Sequence, residues 1–274
     1  MVDSRRAAMP APSPALLAGV RAALAVLSAA LGLTLSALAV VSLRVARRVV
    51  TPAVRANPGY DTAKDFAGIT MTANAAYLLV VPVSLEAKTV GDLIALAKTR
   101  PGQLNFTSAG RGSGTHFAAE MFKHSAGIDV VHVPHKGVPE SLTDIVTGRI
   151  QFFMAPFASA IPLVRDGKIR ALGVSSPQRN RAYPEIPTIA EAGLPGFRYD
   201  SWAAWFAPAR TPRTIINQLN REVTRVLKLA DVEQRLLALG VVASPTTPTQ
   251  LDQFVAGQLV VAADLARKAG IRPE

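Results

Sequence analysis

Short apolar strand patterns alternate with amphipathic helical patterns from about residue 51 onward, and this alternation restricts the fold more than any other feature. The strand patterns cover residues 68–83, 104–109, 130–135, 150–156 and 169–176. Helical patterns follow or separate them at residues 90–100, 116–127, 139–146 and 159–168. Strands and helices of this size in alternation predict an α/β protein with a mostly parallel, doubly wound sheet.

Local signals mark where several of these elements begin and end. Thr89 is a typical helix N-cap, Pro101 and Gly102 stop the helix that follows it, and Gly127 closes the next helix. After a turn-rich stretch at 183–197, a strand is predicted at 199–208. Two helices then complete the chain, one at 212–229 with Thr211 as its cap and one from residue 249 to the last residues.

The first fifty residues differ from the rest of the chain. Residues 22–43 carry no charge, and a helix of that length, at about 1.5 Å rise per residue, crosses a bilayer core. A long export signal is the alternative, with a small-x-small cleavage site at 37–39, although Arg44, Arg47 and Arg48 follow that site. A third interpretation treats the segment as an artefact of the chosen gene start or of a frameshift.

Charge and composition exclude several classes of function. The formal net charge is +11, but residues 1–50 hold six Arg against one Asp. The remainder has no Lys/Arg-rich run and no aromatic residues interleaved with basic ones, so we expect no nucleic-acid partner. The chain has no Cys, which excludes disulfides, thiol nucleophiles and zinc–thiolate sites but leaves the compartment open.

A glycine-rich turn interrupts the chain between a predicted strand and a predicted helix, in the stretch NFTSAGRGSGTHFAAEMF at 105–122. A turn of this kind exposes backbone N–H groups at a helix start and binds anions, carboxylate as readily as phosphate. The spacing of Gly110, Gly112 and Gly114 fits neither a Walker A loop nor a dinucleotide-binding fingerprint. Taken alone, the loop is equally compatible with a plain tight turn.

Two further strand ends are predicted to open on the same edge of the sheet, at 132–137 and 154–159. With them, four stretches resemble the substrate-binding proteins of tripartite tricarboxylate transporters, the Bug or TctC family. These are TSAGRGSGTHFAAEMF, VVHVPHKGVPESLTDIVTGRI, GKIRALGVSSPQRNRAYPEIPTIAEAGLPGF and SWAAWFAPARTP. The resemblance covers about residues 51–271. It implies a bilobal periplasmic-binding-protein fold of type 2, with two doubly wound sheets around a hinge, which closes on a small carboxylate without catalysis or a cofactor.

The resemblance also implies a division of the chain. Residues 51–103 and 200–274 would form lobe 1 and residues 104–199 lobe 2, with 1–50 as the signal peptide or anchor. The family's N-terminal strand and its Pro-Gly-Gly loop ending in Asp are not found in residues 1–50, so the first lobe is expected to be incomplete. The alternative function is therefore a truncated or frameshifted relative that does not bind, and that is membrane-anchored or unstable.

Site residues follow from the family pattern, position by position. One wall of the cleft would comprise Thr107, Ser108, Ala109, Gly110, Ser113, Gly114 and Thr115. Lys136 and Gly137 would form a second loop, with Lys136 favouring a second anionic group on the ligand. Asp200, Ser201 and Trp202 would lie near the crossing between the lobes. Ala155 stands where the family often carries the Asp of an Asp-Asn pair, which puts a specificity contact there in doubt.

The expected partners are a small carboxylate, such as a di- or tricarboxylate, and the subunits of a membrane transporter. We expect a periplasmic monomer, exported by its N-terminal signal or anchored to the inner membrane by residues 22–43.

The sequence also offers residues for a hydrolase triad and for a metal site. Ser108 or Ser113, with His116 and Asp129, could form a hydrolase triad, but no G-x-S-x-G motif is present. Four histidines, His116, His124, His132 and His135, invite a metal site. His132 and His135 fall on opposite faces of a strand, so no metal is expected.

Overall fold

The computed structural model describes residues 59–268, and the predicted signal or anchor segment at 22–43 lies outside that range. The strands are β1 (Phe66–Pro82), β2 (Asn105–Ser108), β3 (Val131–Pro134), β4 (Phe152–Pro156), β5 (Ile169–Val174), β6 (Asp200–Pro208) and β7 (Val241–Ala243). The helices are α1 (Thr62–Asp65), α2 (Val90–Thr99), α3 (Gly114–Ala126), α4 (Val138–Val146), α5 (Phe157–Arg165), α6 (Arg213–Leu227), α7 (Ala230–Ala238) and α8 (Pro248–Lys268).

The long strand β1 belongs to two groups of strands. Residues 66–76 of β1 pair with β6, and 73–75 also pair with β7. From Tyr77 onward the same strand pairs instead with β4 and β5. We call the group of β6, β1 and β7 the first sheet, and the group in the order β3-β2-β4-β1-β5 the second sheet. The change of partners occurs between Ala76 and Tyr77.

Helices cover both faces of the second sheet. Successive residues of β1 point to opposite faces, so Leu79 and Val81 pack in one core with α2 and α3. Leu78 and Val80 pack in the other core, with α4 and α5. Two cores on opposite faces are what a doubly wound arrangement requires.

The first sheet is built in the same way. Met71, Trp202 and Phe206 pack on one face against Leu251 and Val255 of α8. On the other face, Ile69 and Ala207 pack against Ile216 and Leu219 of α6. The end of α8 also contacts a helix of the second sheet, since Leu265 and Ala266 pack against Phe117 of α3.

The α/β class and most predicted elements are confirmed, with three corrections. Among the strands named above, parallel pairing is limited to β2 with β3 and β4, whereas β1 runs antiparallel to all four of its partners, so the prediction of a mostly parallel sheet is wrong. The N-cap of α6 is Pro212, without a side-chain cap, and not Thr211. The short elements α1, α7 and β7 were not predicted.

The division into lobes stays a prediction. The strand pairings put residues 77–82 beside the strands assigned to lobe 2. Within residues 59–268, no helix combines the length and apolar character that a bilayer span needs.

Candidate functional site

The two sheets are joined where β1 passes from one to the other and where the chain from β5 leads into β6, and Ser175 connects these two segments. Ser175 donates its backbone N–H to Tyr77 O over 2.9 Å, and its hydroxyl accepts the Tyr77 N–H over 2.8 Å. Tyr199 in turn donates its N–H to Ser175 O over 2.9 Å. Since Ser175 is fully buried, these bonds are shielded from water and hold the ends of both crossing strands together.

A cavity of about 560 Å³ lies beside this crossing. Its lining comes from β1, from α3, from the segment that leads into β6, and from α8. The lining residues are Asn74, Tyr77, Gly114, Phe117, Met121, Pro177, Arg198, Tyr199, Asp200, Ser201, Trp202, Phe254, Gln258, Val261, Ala262 and Leu265. The volume lies within the range of about 300–1,000 Å³ that is usual for small-molecule sites.

The N-terminus of α3 forms one part of the cavity wall. Ser113 caps this helix by accepting the N–H of His116 over 3.2 Å. Among the described residues, no acceptor binds the backbone N–H groups of Gly114 and Thr115. Free N–H groups at the positive end of a helix dipole favour an anion.

Gly114 fits here because it has no side chain. A Cβ atom at this position would collide with the Tyr77 hydroxyl. The Tyr77 ring is buried. Burial raises the pKa of the Tyr77 phenol, and a side-chain hydrogen bond with Ser201 opposes that shift. The phenol therefore stays neutral and lies between the helix terminus and the start of β6.

Asp200 brings a negative charge into the same wall. Its Oδ1 atom is buried and has no hydrogen-bond partner among the described residues. Burial raises the pKa of Asp200 to about 6, although the neighbouring Arg198 guanidinium acts in the opposite direction. A carboxylate oxygen that is both buried and unpaired is costly, and a ligand that binds it relieves that cost.

The glycine-rich loop at 108–115, in contrast, satisfies most of its own polar groups. The Thr115 hydroxyl accepts the Ala109 N–H over 2.9 Å and contacts the Ser113 hydroxyl at 2.9 Å. The Ser108 hydroxyl donates to Gly110 O over 3.1 Å. Positive φ angles of 119° at Gly110 and 70° at Gly112 allow the tight path of the chain.

Two stacked imidazoles support this loop from beneath. The rings of His116 and His132 lie 4.0 Å apart between centroids, and Phe106 stacks on His132 at 4.8 Å. His116 Nδ1 accepts the Gly112 N–H over 3.1 Å, and His132 Nε2 lies 2.7 Å from the Ser108 hydroxyl. Burial, with the nearby His116, lowers the pKa of His132 to about 3.

These contacts account for His116 and His132 without catalysis, and His135 Nε2 lies 2.9 Å from Asp144 Oδ2. Ser108 is fully buried, so its hydroxyl cannot reach a substrate. His116 pairs weakly with Glu120 at 3.7 Å and has no contact with Asp129, so the residues of the possible triad do not come together. Within residues 59–268, no group of three or more His, Asp or Glu side chains is arranged to hold a metal ion.

The remaining predicted site residues lie away from the cavity lining. Lys136 has an exposed side chain, and its backbone N–H donates to Glu140 Oε2 over 2.9 Å. Gly137 is the residue before α4, and its carbonyl accepts from the Ser141 hydroxyl. Ala155 is fully buried opposite Leu78 of β1. Thr107 is also fully buried, with its hydroxyl 3.4 Å from that of Ser141.

The cavity thus brings together four of the predicted residues, namely Gly114, Asp200, Ser201 and Trp202. The sequence analysis missed Tyr77, Arg198 and the lining residues of α8. A signal existed for Tyr77, since it is the one hydroxyl-bearing residue in the apolar run AAYLLVV. No sequence signal marks the residues of α8, because they meet α3 across more than one hundred intervening residues.

Two sheets that share β1, each with helices on both faces and with a cavity beside the crossing, agree with a two-lobed α/β fold of the periplasmic-binding-protein type. Comparisons with known proteins give the same class. A solved structure described as "R. palustris Rpa4515 with adipate" is 29% identical, with a TM-score of 0.75 over 94% of this chain and 93% of the other. The malate-bound MatC of Rhodopseudomonas palustris is 28% identical, with a TM-score of 0.68 over 79% of this chain and 74% of the other.

Curated sequences and a family model identify the family. A "UPF0065 protein in tcbD-tcbE intergenic region" from a Pseudomonas species is 35% identical over 70% of this chain and 57% of its own length. Protein BugT of Bordetella pertussis is 29% identical over 78% of this chain and 65% of its own length. The model described as "Tripartite tricarboxylate transporter family receptor" matches residues 7–271, so the chain belongs to this family.

The family is one of solute receptors and not of enzymes, as the sequence analysis predicted. The matched range begins inside the stretch assigned to a signal peptide or anchor, which the structure does not describe. The chain spans less than two thirds of the length of the two curated relatives named here.

Proposed function

We propose that this protein is a periplasmic receptor that binds a small carboxylated metabolite non-covalently in the cavity beside the strand crossing. The unpaired N–H group of Gly114, which lines the cavity at the start of α3, is the observation that carries the proposal, and the unpaired N–H group of Thr115 follows it in the same turn. They supply hydrogen bonds and the positive end of a helix dipole to a carboxylate without requiring an Arg side chain. The adipate and malate named with two similar structures are both small dicarboxylates.

Residues around the cavity have distinct proposed roles. Gly114 and Thr115 would hold the ligand carboxylate through their backbone N–H groups, and Trp202 would pack against the carbon chain. Ser201 would orient the Tyr77 phenol beside the carboxylate.

The other loop residues would act indirectly. Thr107, Ser108, Ala109, Gly110 and Ser113 would fix the path of the loop that leads into α3. Lys136 and Gly137 would become contacts only if the two lobes close further around the ligand. Ala155 would shape the core beneath the site rather than touch the ligand.

The transport partner belongs to the same proposal. A receptor of this family would deliver its ligand to the membrane subunits of a tripartite tricarboxylate transporter. We propose that it does so as a monomer, since a two-lobed receptor holds its ligand within one chain.

Thermal shift and calorimetric titration of the 274-residue chain against mono-, di- and tricarboxylates would test the function. The panel should include adipate and malate. We expect a saturable rise in melting temperature for at least one carboxylate, because a ligand that binds only the folded state stabilises it. Matched amides, which lack the charge, should give no rise. No shift with any carboxylate would contradict the proposal.

The alternative is a truncated or frameshifted relative that does not bind a ligand and that is membrane-anchored or unstable. Limited proteolysis separates the two. Protection of a fragment that begins near residue 100 would mean that only the predicted second lobe folds, and the cavity would then lack the β1 and β6 residues that line it. Protection from about residue 60 onward would agree with the receptor.

A further inference from the structure

Asp200 is the one charged side chain in the cavity wall with a buried polar atom that no described residue satisfies. It lies at the first position of β6, where its backbone pairs with Ala76 at the point where β1 changes sheets. The crossing is fastened by Ser175 and its bonds to Tyr77 and Tyr199. The backbone of Asp200 is therefore held by strand pairing and does not belong to a loop.

The groups that face Asp200 leave its charge largely uncompensated. Tyr77 comes from β1, and its hydroxyl already interacts with Ser201. Tyr199 and Arg198 precede Asp200, and the Arg198 side chain is mainly exposed. The cavity-lining residues of α3 and α8 include no titratable side chain. Arg198 attracts the carboxylate from a distance but forms no ion pair with it within the described residues.

The cavity wall therefore has a polarity along its length. The free N–H groups at the start of α3 lie at one end, and the unpaired oxygen of Asp200 lies beyond Tyr77 and Ser201. An anion suits the first end, whereas a hydrogen-bond donor suits the second. A second carboxylate placed against Asp200 would be repelled by its negative charge, whereas a hydroxyl or ammonium group on the ligand can donate a hydrogen bond to Asp200.

We propose that Asp200 is a specificity-determining residue, and that its carboxylate accepts a hydrogen bond from a hydroxyl or ammonium group of the bound ligand. The selected ligands are thus hydroxy- or amino-substituted carboxylates rather than plain ones. This inference rests on the proposed function, since it concerns the same cavity.

Calorimetric titration with two matched ligand series tests the inference. The four-carbon series is succinate, malate and aspartate, and the six-carbon series is adipate and 2-aminoadipate. One of the two series should bind, depending on the length of the cavity. Within that series, at about pH 7.5, we expect the hydroxy- or amino-substituted ligand to bind about tenfold more tightly than the plain dicarboxylate. That is the size expected of one hydrogen bond to a charged group. Malate and aspartate separate a hydroxyl donor from an ammonium donor.

The variant Asp200→Asn removes the charge with almost no change in shape. We expect it to bind the plain dicarboxylate more tightly and the ammonium ligand more weakly, so that the preference is lost. The control Asp166→Asn changes an exposed carboxylate that pairs with Lys168 at 3.4 Å, and the preference should persist in it. The wild-type ranking alone tests the inference should the Asp200→Asn protein fail to fold.

The pH dependence gives an independent readout. Because the Asp200 carboxyl gains a proton near pH 6, wild-type affinity for the plain dicarboxylate should rise between about pH 7.5 and pH 5 by more than that of Asp200→Asn. Equal affinity for plain and substituted ligands in the wild type, or an unchanged preference in Asp200→Asn, would overturn the inference and leave the receptor function intact. Absence of binding by every carboxylate at both pH values would overturn both.

Discussion

The glycine-rich loop at 108–115 and the crossing segment at 198–202 differ in how far their polar groups are hydrogen-bonded. In the loop, hydroxyls, imidazoles and most backbone N–H groups bind one another, and the unpaired N–H groups of Gly114 and Thr115 belong to the first turn of α3. In the crossing segment, Asp200 keeps a buried oxygen unpaired. Because the polar groups of the loop bond to one another, the loop is rigid. The unpaired carboxylate of the crossing segment, in contrast, is available to bind a ligand.

The difference predicts that loop variants act mainly on stability and that crossing variants act mainly on binding. Gly114 belongs to both regions, since it ends the loop and touches Tyr77.

Gly114→Ala should have the largest effect. The added Cβ meets the Tyr77 hydroxyl, so we expect a loss of about 1–3 kcal/mol in the free energy of unfolding, as for other overpacked sites. Ligand affinity should fall more than tenfold, because the wall at the start of α3 moves. Urea denaturation and calorimetric titration measure the two effects.

A second substitution makes that prediction specific. Tyr77→Phe removes the colliding oxygen, so the double variant should recover part of the lost stability. Gly257→Ala is the matched control, because it lies on an exposed part of α8 with open space around it and should be neutral or slightly stabilising. Equal behaviour of Gly114→Ala and Gly257→Ala would show that the close approach to Tyr77 has no consequence.

Ser108→Ala should cost about 1–2 kcal/mol of unfolding free energy, because it leaves buried partners of the hydroxyl unsatisfied. Those partners are His132 Nε2 at 2.7 Å and Gly110 O at 3.1 Å. Thermal or urea unfolding measures the cost. The exposed Ser84→Ala should change stability by less than about 0.5 kcal/mol. A Ser108→Ala protein as stable as Ser84→Ala would argue against a self-satisfied loop.

His132 should make the loop sensitive to acid. Its pKa is lowered to about 3 in the folded protein, so the unfolded chain binds the proton first, and stability is lost as pH falls from about 6.5 toward 3. His132→Phe keeps the stacking on Phe106 and should reduce this loss, by about 1 kcal/mol after allowance for partial exposure and solvent screening. Melting temperatures at pH 7 and pH 4 give the comparison. Identical acid sensitivity in both proteins would contradict the prediction.

The contribution of Asp200 to stability should depend on pH in the opposite direction from that of His132. Its effect on the free energy of unfolding should be the smallest of those predicted here. Its pKa is raised to about 6, so the stabilising contribution is present below about pH 4 and is lost as pH rises through 6. Asp200→Asn should therefore be more stable than the wild type at pH 7.5, by about 1 kcal/mol after discounting for solvent, and equally stable near pH 4. A constant difference at both pH values would mean that burial of the charge is not the cause.

Much of the fold could be predicted from the sequence because its signals are local. Thr89 and Gly127 mark helix ends through capping chemistry, and the structure has them in those roles. The antiparallel direction of β1 has no local signal, since it follows from where the chain returns after α4 and α5. The helix α6 begins one residue later than its capping signal indicated, with Pro212 as N-cap and without a side-chain cap bond.

The candidate site was less accessible to sequence reasoning. The glycine spacing indicated the loop at 108–115 as an anion site. It cannot show that two N–H groups of this loop already donate to His116 Nδ1 and to the Thr115 hydroxyl. Asp200 was named because of the family pattern, and only the three-dimensional arrangement shows its oxygen to be unpaired. The contribution of α8 depends on contacts between distant parts of the chain.

The fluorescence of Trp202 tests most directly whether the ligand binds beside the strand crossing. The chain has two tryptophans, and Trp202 lines the cavity against Phe254, whereas Trp205 does not. Trp205→Phe leaves Trp202 as the reporter, and Trp202→Phe leaves Trp205. We predict that a bound carboxylate produces a saturable change of emission in Trp205→Phe and little change in Trp202→Phe. A carboxylate that binds by calorimetry but leaves Trp202 emission unchanged would contradict the location of the site.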